Sequence, residues 1–448
     1  MIERSGSAGI IRTFLTANGL FTLATSLIWA VNTLFLLSAG LDIFTVMVVN
    51  AAFTVGQLAF EVPTGVVADT IGRKASFLLG IGALAVATVL YVLAAQLGLG
   101  LPAFVAASVL LGFGFTCQTG AIDAWLVDAL AHTGYDKPLD SVFASGQAVF
   151  GAATLAGTIG GGILGQIDLA LPYYARSVVL VLAFVFVAVV MRDVGFEPRR
   201  FAWRRLGEET RAILGAGTHY GWHNRTVRAL FLAAAVQGSF FIFGFYSWQR
   251  YFLDLLGREL VWVNGVVTAG FAIAGIVGNA LVKPVMGAGG GKRSAGMVLA
   301  LTAFGQSVLV AAIGAVGLLV PSGGSGITPF LIAVGLYLVF GIMAGVQGPI
   351  RQAFLNRQIP SAHRATVLSL DALFGDGGAS AGQLGLGWLS RTMSIPIAWA
   401  VSGLFLLAAP PLYRAAAAAE REAGADAAEL YWCPGWESNP HALSDRGF

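Results

Sequence analysis

The chain of 448 residues is strongly apolar, because 57% of its residues are hydrophobic and only 11% are charged, roughly half the charged share of a soluble domain. A water-soluble globular fold is excluded, since it would leave too much apolar surface in contact with water. The net charge of +3 is spread over short segments and excludes a nucleic-acid-binding surface, and neither Cys117 nor Cys433 has a metal-binding spacing.

Hydropathy predicts an all-α integral membrane protein with twelve transmembrane helices. A helix needs about 20 apolar residues to cross a bilayer, and runs of that length recur along the whole chain. The first run is too long for a cleaved signal peptide, so we expect it to stay in the membrane. The predicted spans are 13–38, 44–66, 75–96, 102–127, 141–167, 172–191, 229–252, 260–283, 295–319, 329–353, 365–389 and 394–413.

The basic residues predict that both termini are cytoplasmic. In that orientation most of the 26 Lys and Arg residues lie on the inner side, as the positive-inside rule requires. The exceptions on the outer side are Arg176, Arg250, Arg258 and Arg391. We therefore expect a multi-pass protein of the inner or plasma membrane, in contact with the lipid bilayer.

A hydrophilic, Arg-rich segment divides the chain into two halves. A weak internal repeat supports this division, because residues 120–128 near the end of span four parallel residues 348–356 near the end of span ten. Repeated halves of this kind predict two six-helix bundles. The predicted regions are an N-terminal bundle at 1–191, a cytoplasmic linker at 192–228, a C-terminal bundle at 229–414 and a cytoplasmic tail at 415–448, expected to be disordered.

Two parts of these hydrophilic regions show helical character. Residues 201–214 of the linker mix aromatic and aliphatic residues with Arg and Glu, which suits either a helix on the inner membrane surface or a solvated linker helix. In the tail, the Ala-rich stretch after Arg414 favours a helix as far as about Leu430.

The short loop between spans two and three reads Gly65-Val-Val-Ala-Asp69-Thr-Ile-Gly72-Arg73-Lys74. Its glycines permit tight turning, and its charged residues can pair with groups on neighbouring helices and so latch one conformation. The pattern G-x-x-x-D-x-x-G-R-K/R resembles the signature loop of the major facilitator superfamily. The resemblance covers residues 10–414 and implies a transporter fold with a cytoplasmic gate at this loop.

The resemblance also implies partners for the charged loop residues. Asp69 is expected to face the start of span eleven, at residues 364–370, and Arg73 to pair with Asp128 at the inner end of span four. The alternative is that these charges only orient the helices. In the second half, the corresponding residues 284–293 lack the acid, which predicts a weaker latch, and they do not satisfy the phosphate-loop pattern of an ATP-driven pump.

Ionisable residues inside spans are costly and are therefore functional candidates. Asp376 lies near the middle of span eleven among small residues, which favours either proton or cation coupling or a hydrogen-bonded structural acid. Asp371 lies near the start of the same helix, where a structural role is favoured. Asp123 and Glu61, near the inner ends of spans four and two, are predicted gate residues, and Arg351 is expected to counter Asp123.

Two further patterns leave alternatives open. Residues 157–165 of span five are rich in glycine and resemble the antiporter signature of drug exporters, but Thr158 stands where that pattern has Pro, and glycine packing explains the segment almost as well. Amide side chains inside the spans either line a pathway or bond helix to helix; they are Gln118, Gln147, Gln237, Asn264, Asn279 and Gln347.

These observations favour secondary active transport of a small solute by alternating access, coupled to protons and directed toward export. The alternatives are proton-coupled uptake of a metabolite and a sensor or scaffold that keeps the transporter fold without transport. An enzyme is disfavoured because the spans contain no set of nucleophile, base and stabiliser. We expect a monomer with no cofactor and no nucleic-acid partner. A metal site within the membrane is also not expected, since the five His residues lie outside the spans.

Overall fold

The computed structural model describes most of the chain, and the regular structure of the described residues is entirely helical. The predictions for the linker helix at 201–214 and for most of the basic loop at 284–293 fall outside the described residues. The described ranges are 6–118, 121–196, 221–257, 260–287, 294–320, 325–359 and 364–431.

The first half of the chain packs around one apolar core, which includes residues from Ile10 in the first helix to Met191 after the last. The long helices are built from apolar and small residues, so that each presents one face to this core and another to the exterior. The helices are α1 Ser7–Ser26, α2 Asn32–Ser38, α3 Ile43–Thr70, α4 Arg73–Gln96, α5 Gly100–Gln118, α6 Ala121–His132, α7 Asp140–Ile167 and α8 Leu171–Val190.

The second half contains two apolar clusters, one toward each end of its helices. The cluster with the aromatic residues Trp248, Tyr337 and Trp399 also takes in Met47 from the first half, so this core continues across the interface. The helices are α9 Arg225–Leu256, α10 Trp262–Gly287, α11 Ala295–Leu319, α12 Ile327–Arg357, α13 Arg364–Thr392, α14 Ile395–Leu406 and α15 Ala409–Tyr431.

Within the described part of the chain, ten helical segments are long and apolar enough to cross a membrane. They correspond to the predicted spans except the first and the eleventh. The eleventh, α13, carries Asp371 and Asp376 together with many Gly and Ser residues, and its apolar character is correspondingly low. The all-helical membrane fold is thus confirmed, whereas the number twelve and the division into six plus six stay predictions.

The predicted first span is not one continuous helix. It is divided into α1 and α2 by turn residues 27–31, and Val31 has a non-helical backbone with φ −131°. A break in a membrane helix leaves backbone groups that need partners. Here side chains of the second half supply them: Gln249 donates to the carbonyl oxygen of Trp29 at 2.9 Å, and Asn264 donates to that of Ala30 at 3.3 Å.

The first part of the tail is helical, because α15 continues to Tyr431. This agrees with the helix that the Ala-rich stretch predicts as far as about Leu430, so the expected disorder does not apply to residues 415–431. Alanine has the highest helix propensity of the amino acids, and Ala416 and Ala417 are buried against the second-half core. Residues 432–448 lie beyond the described part of the chain.

Among the described residues, the two halves meet mainly through α3 with α13, α7 with α10 and α2 with α9, and α3 makes a smaller contact with α9. Their closest contacts lie at the end of the molecule where α2 ends and α3 begins, away from the loop at 65–74. Arg391 of α13 reaches Asp42 at 3.3 Å, and the side-chain oxygen of Gln166 accepts from the N–H of Trp262 at 3.2 Å. These contacts close one end of the space between the halves.

Candidate functional site

The loop at residues 65–74 is a compact cluster of charges at the opposite end. Gly72 precedes α4 with φ +128°, a conformation that side chains rarely adopt. This turn places Arg73 next to two acids: its guanidinium lies 2.6 Å from Asp69 and 3.7 Å from Asp128 of α6. The structure thus brings together Asp69, Arg73 and Asp128, three of the residues that the sequence singles out.

Lys74 and Asp193 join this loop to the C-terminal end of α8. The backbone N–H of Lys74 donates to Asp193 Oδ1 at 2.9 Å, and its ammonium group donates to the carbonyl oxygen of Ala188 at 2.7 Å. A cation at a helix C-terminus is favoured by the exposed carbonyls and the helix dipole. Burial raises the pKa of Asp193, and the hydrogen bond from Lys74 opposes this shift.

Asp193 was missed by sequence reasoning because it lies in the polar segment after the last span of the first half. The segment's composition indicates only a linker, and no spacing relates Asp193 to the loop. The expectation that Asp69 faces the start of α13 stays a prediction, since the side chains of residues 364–366 are not described.

A cavity of about 450 Å³ is lined by residues of the second half, from helices α9, α11, α12, α13 and α14. Asp376 and Arg351 both line it, together with Gln237 and Gln347. The amide of Gln237 donates to Gln306 and Gln347, each at 3.0 Å, while its oxygen accepts from Tyr413 at 2.6 Å. The glutamines therefore do both things that the sequence allows: they line the cavity and connect helices.

Arg351 does not pair with Asp123, as the sequence repeat suggests, but with Asp371. Two hydrogen bonds of 2.8 Å and 2.5 Å join the guanidinium to both carboxylate oxygens, and a third at 3.1 Å reaches the carbonyl oxygen of Leu230. The reason is geometric, because Arg351 on α12 and Asp371 on α13 belong to the same half. Asp123 begins α6 in the other half, with an exposed side chain.

Asp376 and Glu61 are near each other across the interface between the halves. Glu61 on α3 lies close enough to Asp376 on α13 for their charges to interact. Asp376 makes no hydrogen bond or ion pair with another described residue, in contrast to Asp371, which lies between one and two turns before it on the same helix. The structure thus separates a paired acid from one that is available in the cavity.

A second cavity, of about 310 Å³, lies nearer the closed end. Phe241 and Ile242 line both cavities, so the two are adjacent. The second cavity has largely aromatic and aliphatic walls, with Asn32, Asn50 and Arg176 among its polar lining residues. Sequence reasoning assigned Arg176 only to the outer side of the membrane; its position within the predicted span 172–191 was the signal that could have identified it.

The glycine-rich segment of α7 serves close helix packing. A side chain at Gly157 or Gly161 would meet the backbone of α1, and a Cβ at Gly162 would lie 2.9 Å from the Cα of Gly265 in the second half. These contacts give the segment a structural explanation that requires no antiporter signature. The contact between Gly162 and Gly265 is also part of the closed end of the molecule.

Comparisons with known proteins agree with this architecture. No curated protein is significantly similar to the sequence. Among solved structures, the nucleoside transporter NupG is similar with a TM-score of 0.73 and 11% identity, over 91% of this chain and 98% of that one. The POT family transporter PepTSo gives a TM-score of 0.70 at 14% identity, over 92% and 98% of the two chains.

A D-xylose-proton symporter is also similar, with a TM-score of 0.67 and 11% identity over 90% of this chain and 96% of that one. At such identities the likeness concerns the fold. The family model described as Major Facilitator Superfamily matches residues 14–383. With this match, its helical membrane fold and its signature loop, the chain belongs to the Major Facilitator Superfamily.

Proposed function

We propose that the protein is a secondary active transporter that moves a small solute by alternating access, coupled to protons, in the direction of export. The observation that carries this proposal is Asp376, an acid that lines the cavity of the second half without a described hydrogen-bond or ion-pair partner and lies near Glu61 of the first half. An unpaired acid inside a membrane is costly when charged. In this proposal Asp376 is the group that binds the coupling proton.

The contacts between the halves support alternating access. The end that contains Asp42 and Arg391 is closed, while the cavity with Asp376 lies toward the signature loop. A state open to the opposite side requires these contacts to break and the loop side to close. Release of the proton from Asp376 in that second state would couple proton flow to solute movement.

We also propose the topology that accompanies this function. Twelve spans form two six-helix bundles at residues 1–191 and 229–414, joined by a linker at 192–228, with both termini in the cytoplasm. The protein acts as a monomer in the cell membrane. The charge asymmetry along the chain supports this orientation, which places the signature loop and the open cavity on the cytoplasmic side.

Proton-coupled uptake is the second candidate, and the similarity in fold to a D-xylose-proton symporter favours it. A sensor or scaffold without transport is the third. Opposite orientations of the proton gradient separate the first two in one assay, since export by antiport and uptake by symport move protons in opposite senses relative to the solute.

The test is solute-induced proton movement in proteoliposomes that contain a pH dye, with a panel of organic acids, sugars and amphiphilic cations. We expect one class to move protons with the wild type, and Asp376→Asn to abolish that movement because the variant cannot exchange a proton. Asp168→Asn, an exposed aspartate outside both cavities, is the matched control. Proton movement that persists in Asp376→Asn contradicts the coupling role.

A further inference from the structure

Arg176 is a buried cation without an anionic partner. It lies in α8 with 5% of its surface exposed, and no hydrogen bond or ion pair joins it to another described residue. Its Nε atom is buried without a partner. A buried arginine is expected to pair with a carboxylate, as Arg351 pairs with Asp371.

Among the described residues, no carboxylate is an electrostatic neighbour of Arg176. Three tyrosines, Tyr91, Tyr173 and Tyr246, are its electrostatic neighbours. Arg176 also lies in the second turn of α8, where the helix dipole is positive and adds no compensation. The nearby groups therefore leave the guanidinium charge unbalanced.

The polar groups in this part of the cavity are already bonded to one another. Asn32 donates to Asn50 at 3.0 Å and accepts from Tyr173 at 2.8 Å, while Asn50 donates to the carbonyl oxygen of Val46 at 3.0 Å. Tyr91 is hydrogen-bonded to Ser108. This network holds the cavity wall in place, so that Arg176 is the charged group left for a ligand.

We propose that Arg176 binds the carboxylate of the transported solute, which is an organic monoanion with an aromatic or branched apolar body. The planar guanidinium matches a carboxylate through two parallel hydrogen bonds. Trp29, Phe53, Phe115 and Phe245 line the same cavity and provide the surface for the body. The inference rests on the proposed transport function and names the substrate class of its binding site.

The charge and size of the cavity select this class. One arginine without a second cation balances a single negative charge, whereas a phosphate dianion would remain half uncompensated. The volume of about 310 Å³ is at the lower end of the range of ligand pockets, roughly 300–1,000 Å³. Because Phe241 and Ile242 line both cavities, the cavity that would hold the anion adjoins the cavity of Asp376.

The test compares ligands that share one body and differ in the head group: 4-phenylbutyrate, its neutral amide, its phosphonate analogue and 4-phenylbutylamine, with naphthyl, indolyl and branched-alkyl carboxylates as further bodies. Binding to the full-length protein in detergent is followed by thermal shift and by isothermal titration calorimetry. We expect the carboxylates to bind and the amide and amine to bind at least about 10-fold more weakly, because charge-assisted hydrogen bonds are lost.

Two variants locate the head group. Arg176→Gln should lose the preference for carboxylate over amide, and Arg176→Lys should keep part of it, since the charge remains while the planar fork is lost. Arg250→Gln is the matched control, because Arg250 pairs with Asp254 at 2.9 Å outside both cavities. Each variant is first shown to be monodisperse with a cooperative unfolding transition.

The outcomes separate this inference from the transport proposal. Tightest binding of the amine, the amide or the phosphonate, unchanged preference in Arg176→Gln, or no carboxylate binding across the panel overturns the carboxylate site. Carboxylate binding that depends on Arg176 but produces no proton movement in proteoliposomes retains the site and overturns the transport proposal. Proton movement that is driven by a sugar or a cation and is insensitive to Arg176→Gln retains the transport proposal and overturns the carboxylate site.

Discussion

Arg351 and Asp371 form the most shielded ion pair among the described residues, with 18% and 13% of their side chains exposed. Asp376 lies one to two turns farther along α13 and has no such partner. The difference between the two acids is a difference in neighbours and not in position along the span. At the scale of single residues, one acid is therefore structural and the other is available for chemistry.

Removal of one member of the Arg351–Asp371 pair should destabilise the protein. We expect Asp371→Asn to lower the free energy of unfolding by about 3 kcal/mol, because a shielded guanidinium is left without its counter-charge. The measurement is thermal unfolding of the purified protein in detergent. The less shielded pair Arg250–Asp254 provides the control, since Asp254→Asn should cost about 1 kcal/mol or less.

A double variant distinguishes the pair from a general loss of polarity. Arg351→Met with Asp371→Leu removes both charges and should be less destabilising than the sum of the two single changes. If the two single changes add, the residues do not interact in the folded protein.

Close approach of α7 and α10 depends on glycine at the scale of elements. A Cβ at Gly265 would lie 2.6 Å from the carbonyl oxygen of Thr158, a distance that requires the helices to separate. The glycine-rich segment of α7 and Gly265 of α10 thus form one contact surface. Because this surface lies at the closed end, a substitution that separates the two helices is expected to favour the state that is open there.

Gly265→Ala should shift the protein toward the state that is open at this end. We expect the distance between spin labels at Leu99→Cys and Leu319→Cys to lengthen, because these positions are exposed at the outer ends of α4 and α11, with 54% and 83% of their surfaces accessible. The measurement is pulsed electron resonance on a protein whose Cys117 and Cys433 are replaced by alanine.

Gly275 provides the matched substitution in the same helix. A Cβ there meets no atom within 4 Å, so Gly275→Ala should leave the distance distribution unchanged. An identical distribution in Gly265→Ala and Gly275→Ala would show that the contact between α7 and α10 does not limit opening.

The break between α1 and α2 is an element-scale feature of the same closed end. Its free backbone groups are bonded by Gln249 and Asn264 of the other half. Thr33 adds two bonds, because its N–H donates to Gln249 at 3.0 Å and its hydroxyl donates to the carbonyl oxygen of Tyr246 at 2.7 Å. The broken helix therefore joins the halves by polar contacts, which can be exchanged for water when this end opens.

At the scale of the whole molecule, alternating access requires a second state that is open at the opposite end. In that state the molecule must be closed at the signature loop. In the structure Asp69 pairs with Arg73 within its own half, at 2.6 Å. If Asp69 latches the other state, Asp69→Asn should reduce solute-dependent proton movement several-fold while membrane insertion and thermal stability are kept. The exposed Asp136→Asn, in another loop on the same side, is the control. Wild-type flux in Asp69→Asn rules out the latch.

The sequence by itself determined the helical membrane fold, the family and most of the polar candidates. Hydropathy reports these features because a bilayer accepts only long apolar segments with internally bonded backbones. The Gly65–Lys74 pattern and the isolated acids are local in sequence, so they are visible without coordinates. The prediction failed at the first span, where bonds from Gln249 and Asn264 stabilise a break that no local signal indicates.

Only the tertiary structure decided which charges are paired. Asp371 and Asp376 are both acids within span eleven, and Arg176 resembles any other topology-setting arginine of the outer side. Their roles depend on residues distant in sequence: Arg351 neutralises Asp371, Glu61 approaches Asp376, and nothing described neutralises Arg176. The energy of an ion pair falls with distance and rises with shielding from water. Both distance and shielding are set by how the helices pack against one another. The order of residues along one helix does not contain that information.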